Sequence, residues 1–315
     1  MSNFWLVTGG NGYIGSHIVQ ALTSIGEPLL VLDIHENLLN HGSIKNVSYV
    51  KCDIRSLEQI NLIFSKYDIQ GVLHFAALKS VYESSIIPNE YVHTNVVGTK
   101  NILDSMVKHG VRNLVFPSTA AVYGETREGL FTEQSHLNPG SVYGSTKLDG
   151  ERLIEQYCTQ YSLNAFVFRF FNVAGQLLPF TTKKSVDNFI PIAVANYKNK
   201  IRSTVFGYDY LTPDRTAIRD YVHVGDIVEV CKVAVEQLNI SSGTFEILNI
   251  GGGKGFSVLE VLSEISQQFG EVISPVLAPR RPGDLPIAIA EATLLRKILG
   301  YRNKYSLSEI VSSLI

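Results

Sequence analysis

The sequence predicts an α/β protein, a doubly wound parallel sheet followed by a smaller C-terminal lobe. Two observations support this class. Short apolar runs alternate with longer helical stretches in the first half of the 315-residue chain, and this rhythm stops after Asn172, where Gly, Pro, Thr and Asn become denser. Strands that alternate with helices form βαβ units, whose parallel sheet carries helices on both faces. A hydrophobic fraction of 45% is enough for a large core.

Each apolar run in the first half is expected to be a strand, and each longer stretch a helix. Ser56 and Gln59 have the spacing of a capping box, which indicates that a helix begins there. In chain order the predicted elements are strand 4–7, helix 13–24, strands 29–33 and 47–50, helix 57–66, strand 71–75, helix 90–109, strand 113–116, helix 142–161 and strand 165–171.

The same pattern predicts a first domain of residues 1–173 and a second of residues 174–315. Within the second, a helical pattern over 226–237 and an apolar run over 245–250 return to the earlier rhythm. Residues from about 223 to 250 are therefore expected to complete the sheet of the first domain.

Composition excludes several classes of function. The net charge is −2 and no basic stripe is present, which argues against nucleic-acid binding. Cys52, Cys158 and Cys231 are far apart, and the eight histidines show no ligand spacing, so we expect reduced thiols and no metal site. No secretory leader and no membrane-length apolar run is recognisable, so we expect a soluble, cytoplasmic protein.

A glycine-rich stretch follows the first predicted strand. Residues 10–15, GNGYIG, match G-x-G-x-x-G between a strand and a helix, the context in which this motif holds a dinucleotide pyrophosphate. The second strand ends in Asp33, an acid suited to the adenosine ribose hydroxyls. Asp33 would repel a 2′-phosphate and no arginine follows it, so the sequence predicts a Rossmann domain that binds NAD rather than NADP. The alternative is an ordinary tight βα turn.

A second glycine run, residues 251–255, also resembles a phosphate loop. It lacks the G-K-[ST] ending because Lys254 is followed by Gly255. Ser257 and Glu260 have capping-box spacing. We therefore interpret this run as a strand-to-helix turn.

Tyr143 and Lys147 form the candidate catalytic pair. Residues four apart share one face of a helix, so the phenol and the ammonium are expected to point the same way. A neighbouring cation favours the phenolate and would lower the pKa of Tyr143 enough for proton transfer near neutral pH. Ser118 and Thr119 end a predicted strand at the sheet edge where ligands of open α/β folds bind. Chance spacing and a simple strand-end cap are the alternatives.

Together these motifs resemble the extended short-chain dehydrogenase/reductases and, more narrowly, the UDP-galactose 4-epimerase family. The resemblance runs from Trp5 to about Tyr301. The segments that carry it are GGNGYIG at 9–15, CDI at 52–54, HFAALKSV at 74–81, NVVGT at 95–99, STAAVYG at 118–124, YGSTK at 143–147, RFFNVAG at 169–175, IRDYVHV at 218–224 and PRRPGDLP at 279–286.

The resemblance implies a role for each matching residue. It implies that Thr119, Tyr143 and Lys147 are catalytic. The implied NAD contacts are Gly9, Gly12, Tyr13, Ile14, Gly15, Asp33, Asp53, Ile54, Phe75, Ala76, Ala77, Lys79, Asn95, Tyr143, Lys147 and Phe170. The implied nucleotide-sugar contacts, mainly in the second domain, are Lys79, Ser118, Thr119, Tyr143, Asn172, Asn188, Phe189, Phe206, Arg219, Arg281, Asp284 and Ala288. An alternative for Arg219 and Asp220 is a plain surface ion pair.

The implied activity is NAD-dependent 4-epimerisation of UDP-glucose and UDP-galactose through a 4-keto intermediate. Family members restricted to these hexoses often carry a tyrosine at the position of Ala288, so we also expect turnover of UDP-GlcNAc and UDP-GalNAc. The alternative is that Tyr82 or another residue fills that space. The resemblance further implies a homodimer in which helices 90–109 and 142–161 pair as a four-helix bundle. Cys52, Tyr82 and the short stretch 176–187 depart from the family pattern.

Three other functions remain open from the sequence. A nucleotide-sugar 4,6-dehydratase needs an added acid and base, whereas Ala120 and Ala121 follow Thr119 here. A uronic-acid epimerase or decarboxylase needs a cluster that binds the sugar carboxylate. A non-catalytic NAD-sensing regulator would not require Thr119, Tyr143 and Lys147.

Overall fold

The computed structural model describes residues 3–36, 46–124, 129–177, 188–240, 242–281 and 284–315. The strands within these ranges are β1 Phe4–Thr8, β2 Leu29–Asp33, β3 Val47–Lys51, β4 Ile69–His74, β5 Asn113–Thr119, β6 Leu130–Phe131, β7 Asn164–Phe170, β8 Asn172–Ala174, β9 Thr204–Phe206, β10 Ile218–His223, β11 Phe245–Ile250, β12 Gly255–Ser257, β13 Val276–Ala278 and β14 Ile287–Ala290.

The helices are α1 Tyr13–Ser24, α2 Leu57–Lys66, α3 Val81–Ile86, α4 Pro88–Tyr91, α5 Gly98–His109, α6 Val142–Tyr161, α7 Phe189–Lys198, α8 Val224–Ile240, α9 Val258–Phe269, α10 Thr293–Leu299 and α11 Leu307–Ser312. A π-helical segment, Val92–Val97, joins α4 to α5, and a 3₁₀ turn, Ala120–Val122, follows β5.

A seven-stranded parallel sheet forms the centre of the molecule, in the order β11-β7-β5-β4-β1-β2-β3. Two apolar layers cover it. One layer joins the sheet to α1 and α8 and contains Trp5, Phe166 and Phe168. The other joins the sheet to α2, α5 and α6 and contains Phe64, Met106 and Phe116. The predicted parallel α/β sheet is confirmed. The later strand β11 forms its edge beside β7.

The smaller lobe is built around a second sheet, in the order β12-β10-β14-β6, with β8 also paired to β10. Strand β8 follows β7 after the single residue Phe171, so the chain passes directly from the central sheet into this lobe. A parallel pair, β9 and β13, lies apart from it. A third apolar cluster joins α7, α9 and α11.

Three sequence predictions need correction. Helix 90–109 is interrupted by the π-helical segment, and the run 165–171 ends at Phe170, with a new strand beginning at Asn172. The capping box at Ser56 is only half formed. Gln59 N donates to Ser56 Oγ at 3.4 Å, but Gln59 Oε1 accepts instead from Asp53 N at 3.4 Å. The capping box of Ser257 and Glu260 is confirmed.

Candidate active site

The carboxyl ends of β1, β2, β4, β5 and β7 carry most of the candidate residues. Parallel strands end on one edge, so the glycine loop, Asp33, the segment after β4 and Thr119 share that edge. Phe170 is the register partner of Thr119. The fold therefore brings the predicted cofactor residues and the catalytic candidates to one side of the sheet.

The glycine loop is packed too closely for side chains. A Cβ on Gly15 would lie 2.3 Å from the carbonyl oxygen of Gly9, and one on Gly12 would lie 3.1 Å from it. Gly9 itself has φ of +68° and approaches the backbone of Ala76. Gly12 caps α1 without a side-chain hydrogen bond, so the first turn presents backbone amides to a ligand. Such a cradle fits a dinucleotide pyrophosphate.

Asp33 connects the glycine loop to the end of β2. Asn11 N donates to Asp33 Oδ2 at 3.0 Å, and His35 N donates to Oδ1 at 3.1 Å. The carboxylate is partly buried and keeps further acceptor capacity, because each of its oxygens can accept a second hydrogen bond. These contacts fit an acid that binds ribose hydroxyls.

Asp53 lines a depression beyond β3, and the buried Ile54 follows it in the chain. Arg55 Nη2 contacts Asp53 Oδ2 at 2.7 Å, and this hydrogen bond lowers the pKa of Asp53. The same guanidinium reaches Glu90 Oε2 at 2.9 Å. The depression is lined by Ile34, Lys51, Cys52, Asp53 and Gln59.

Asn95 fixes the segment that follows β4, where Phe75, Ala76, Ala77 and Lys79 lie. Its Oδ1 accepts from Leu78 N at 2.9 Å, and its Nδ2 donates to Leu78 O at 3.0 Å and to Thr146 Oγ1 at 3.1 Å. Both amide hydrogens are therefore used within the protein. The π-helical segment places this side chain, and such segments often occur at functional sites.

Tyr143 and Lys147 lie in the first turns of α6, beside the end of β5. Thr119 hydrogen-bonds the Tyr143 hydroxyl, and Lys147 Nζ donates to Pro117 O at 2.8 Å. Gly144 permits this approach, since a Cβ there would lie 2.6 Å from the carbonyl oxygen of Ala121. The structure therefore assembles all three catalytic candidates.

The expected effect of Lys147 on Tyr143 is wrong in this structure. Burial raises the pKa of Tyr143 to about 12, and only the Thr119 hydrogen bond opposes that rise. Burial also lowers the pKa of Lys147 to about 8, against an opposing effect of Glu151. Burial disfavours the charged form of each group, and this desolvation is the largest cause of both shifts.

Ser118 is not placed beside Tyr143. Its hydroxyl donates to Glu151 Oε1, and Arg169 holds the same carboxylate through Nη2 at 2.7 Å and Nε at 3.0 Å. The expected substrate contact of Ser118 is therefore unsupported, because its side chain is buried and its hydroxyl is committed to Glu151. The sequence reading missed Glu151 and Arg169, although Glu151 follows Tyr143 and Lys147 at the same helical spacing.

The second sheet gathers residues of the nucleotide-sugar set. Arg219 and Ala288 are register partners in β10 and β14. Arg219 Nη2 lies 3.4 Å from Asp284 Oδ1, and its Nη1 donates to Leu285 O at 2.7 Å. Asn172, at the start of β8, hydrogen-bonds Tyr221.

The suggested surface ion pair of Arg219 and Asp220 does not form. Asp220 is buried and accepts from Gly252 N at 2.6 Å, Gly253 N at 2.9 Å and Ala290 N at 3.1 Å. Desolvation raises the pKa of this carboxyl to about 6. Asp220 thus accepts hydrogen bonds from two backbone amides of the second glycine run, which is consistent with a structural turn.

The remaining candidates lie around the second lobe. The Arg281 guanidinium lies over the Phe206 ring at 3.8 Å. Asn188 Nδ2 donates to Val173 O at 2.5 Å, and Phe189 begins α7. Tyr82 is 79% exposed and so does not fill space in the interior. Most of the short stretch 176–187 lies outside the described residues.

Two kinds of feature are absent from the described ranges. No group of three or more His, Cys, Asp or Glu side chains there is arranged to hold a metal ion. No helix in those ranges combines the length and apolar character needed to cross a membrane.

The sequence and the fold match known proteins over nearly their full lengths. The model of the NAD dependent epimerase/dehydratase family matches residues 5–251. A UDP-glucose 4-epimerase from Halalkalibacterium halodurans is 39% identical over 310 residues, covering 95% of this chain and 90% of that relative. The structure of UDP-glucose 4-epimerase from Brucella ovis in complex with NAD matches with a TM-score of 0.91 and 32% identity, over 99% of this chain and 97% of that one.

A third match differs in its named substrates. The UDP-Glc/GlcNAc 4-epimerase from Campylobacter jejuni has a TM-score of 0.85 and 30% identity, over 99% of this chain and 98% of that one.

Proposed function

The chain belongs to the NAD dependent epimerase/dehydratase family, and we propose that it is a UDP-hexose 4-epimerase that interconverts UDP-glucose and UDP-galactose through a 4-keto sugar. The observation that carries this proposal is the contact of Thr119 with Tyr143 beside Lys147, at the sheet edge that also holds the glycine loop. A non-catalytic regulator has no need of this arrangement.

NAD is the cofactor, and the residues of the first domain fit it. The amides at the start of α1 would bind the pyrophosphate, and Asp33 would bind ribose hydroxyls. Asp53, Ile54 and the segment 75–79, which Asn95 orders through Leu78, would complete the contacts to NAD. When bound, NAD would supply reversible hydride transfer at C4 and a positive charge that would favour ionisation of the Tyr143 phenol.

Tyr143 would accept the proton of the sugar 4-hydroxyl and later return it. Thr119 hydrogen-bonds its hydroxyl and would share the same sugar oxygen, which orients the reacting group. Lys147, held by Pro117 O, would supply a buried positive charge one helical turn from Tyr143. Because the proton and hydride return to the same substrate, no reagent is consumed.

Residues of the second lobe would anchor the nucleotide while the sugar turns over. Arg219 and Arg281 are suited to the diphosphate, because guanidinium groups bind phosphates through paired N–H donors. Asp284 would accept from ribose hydroxyls, and Phe206 would lie beside the base. Asn172, Asn188 and Phe189 would complete this surface.

We also propose that the site accepts N-acetylated hexoses. Ala288 is small, is partnered with Arg219 in the sheet, and packs against the cluster that includes Val122 and Phe171. It therefore lies near the turn that follows Thr119. A site without a bulky side chain here leaves room for an acetamido group.

A homodimer is a further part of the proposal. Exposed apolar side chains extend over α3 and the π-helical segment, including Tyr82, Ile86, Val92 and Val97. They lie on and beside the helices that would form a four-helix bundle with α6. The free thiols of Cys52, Cys158 and Cys231 support a reducing location such as the cytoplasm.

The direct test is turnover of UDP-glucose, UDP-galactose and their N-acetyl counterparts by the purified protein without added cofactor. Denaturing the protein should release NAD and not NADP. Tyr143→Phe should lower kcat about 10²–10⁴-fold, the usual contribution of general acid–base catalysis. Tyr67→Phe, at the end of α2, is the matched control and should leave kcat unchanged. Absence of turnover in the wild type would refute the proposal.

A further inference from the structure

Three successive residues at the end of β5 each bind one residue of α6. Pro117 O accepts from Lys147 Nζ at 2.8 Å, Ser118 Oγ donates to Glu151, and Thr119 hydrogen-bonds Tyr143. The three helix residues are four apart, so they lie on one face of α6. This arrangement fixes both the position and the rotation of the helix that carries the proposed proton acceptor.

Arg169 anchors the central contact to the neighbouring strand. It is the register partner of Ser118 in β7, and it holds the Glu151 carboxylate with two nitrogens. Its remaining nitrogen Nη1 donates to Tyr123 Oη at 3.1 Å and to Glu133 O at 3.1 Å. Ser118, Glu151 and Arg169 are 3%, 3% and 2% exposed, so the carboxylate is shielded from water.

We propose that Glu151 is a positioning residue of the reaction: it fixes α6 on the end of β5 so that Tyr143 meets Thr119, and it places a carboxylate one helical turn from Lys147. It touches neither the sugar nor the cofactor. The proposal rests on the proposed function, because it assigns Glu151 to the chemistry of Tyr143.

The charged and titratable groups around Lys147 support an electrostatic part of this role. On α6 they are Tyr143 and Glu151, and from β4 the neutral His74 faces it, whose pKa burial lowers to about 3. Arg169 reaches the region from β7 and is already paired with Glu151. Glu151 is the group that raises the pKa of Lys147 against the effect of burial.

Ser118→Ala tests the positioning role without leaving a buried charge unpaired. It removes one hydrogen bond of Glu151 and keeps the ion pair with Arg169. We expect kcat to fall about tenfold with KM for the UDP-sugar unchanged, because small misplacements of reacting groups are costly. A substrate contact of Ser118 would instead raise KM. The control is Ser105→Ala on α5. It removes a hydroxyl bond to Asn61 Oδ1 on α2, at 3.2 Å, and should leave both kcat and KM unchanged.

Glu151→Gln tests the electrostatic role. Loss of the carboxylate should move the alkaline limb of the kcat profile to lower pH, since Lys147 then loses its proton more easily. The shift can be read without turnover by titrating ¹³C-labelled lysine, with the Lys147 signal assigned through Lys147→Arg. If Glu151 had a merely structural role, Glu151→Gln would lower the stability of the protein but would not shift the titration of Lys147.

The outcomes separate the proposed function from the positioning and electrostatic roles of Glu151. An inactive wild type refutes the proposed function, and the lysine titration then decides the role of Glu151. If the wild type is active, wild-type kcat in Ser118→Ala overturns the positioning role even if Glu151→Gln fails to fold. An unmoved Lys147 titration in a folded Glu151→Gln protein overturns the electrostatic role.

Discussion

Lys147 shows the cost of placing a charged group at a buried site. Lys147 is 5% exposed, and its ammonium donates to the Pro117 carbonyl and lies 4.7 Å from the centre of the Phe116 ring. Burial lowers its pKa from 10.5 to about 8. A shift of this size corresponds to about 3 kcal/mol by which the fold disfavours the charged form. In the proposed reaction, this buried charge would offset its cost by acting on Tyr143.

Replacement of Lys147 by Met should therefore stabilise the protein while removing activity. Below pH 8 lysine is charged in both states and the fold bears the full cost of burial. Between pH 8 and 10.5 the unfolded chain binds more protons, so wild-type stability rises and the advantage of Met shrinks. Urea unfolding at pH 7 and near pH 10 measures this difference.

The exposed Lys108→Met variant is the control and should unfold like the wild type at both pH values. A Lys147→Met protein less stable than the wild type at pH 7, or a difference independent of pH, would contradict the interpretation.

At the scale of elements, strand β14 carries Ala288, the residue that we propose sets the width of the sugar pocket. Pairing with β10 puts Ala288 next to Arg219, and Asp220 fixes the end of the strand through Ala290 N. A side chain at 288 therefore extends from a well-held backbone. Close-packed surroundings do not easily relieve a clash.

Ala288→Tyr should suppress turnover of UDP-GlcNAc and UDP-GalNAc while sparing UDP-galactose. Ala288→Ser, which adds only a hydroxyl, should retain all four substrates. Relative kcat/KM values for the four UDP-sugars provide the measurement. If kcat/KM of the tyrosine variant fell equally for all four substrates, or did not fall, position 288 would not decide whether N-acetylated hexoses are accepted.

Elements that follow from local pattern were predictable from the sequence, and those that depend on distant partners were not. The parallel strands and α1, α2 and α6 carry clear apolar patterns, and the glycine loop has a specific motif. The π-helical segment is held by Asn95 bonds to Leu78 and Thr146, which no local pattern reveals. Likewise, the pKa of Tyr143 depends on burial that only the assembled fold creates.

At the scale of the whole molecule, an exposed apolar surface adjoins the proposed active site. Val92 is 46% exposed in the segment between α4 and α5, and Ile86 is 61% exposed in α3. Burying such surface against a second copy would remove apolar area from water. The proposed dimer would thus stabilise the helices that hold Asn95 and Tyr143.

Val92→Glu should convert a dimer into a monomer, because it places a charge in the proposed interface. Light scattering after size-exclusion chromatography measures the mass. Leu62→Glu, on the exposed face of α2, is the matched control and should remain dimeric. A monomeric wild type, or a Val92→Glu protein that stays dimeric, would refute this interface.

The central claim is a reversible oxidation at C4 in which the hydrogen on C4 is not exchanged with solvent. The most direct test is conversion of UDP-galactose carrying deuterium at C4, followed by NMR or mass spectrometry of the UDP-glucose formed. We predict that the product keeps the deuterium at C4, because the hydride taken from the sugar returns to the opposite face of the same carbon. Loss of the label to water, or its appearance at another carbon, would contradict the proposed mechanism.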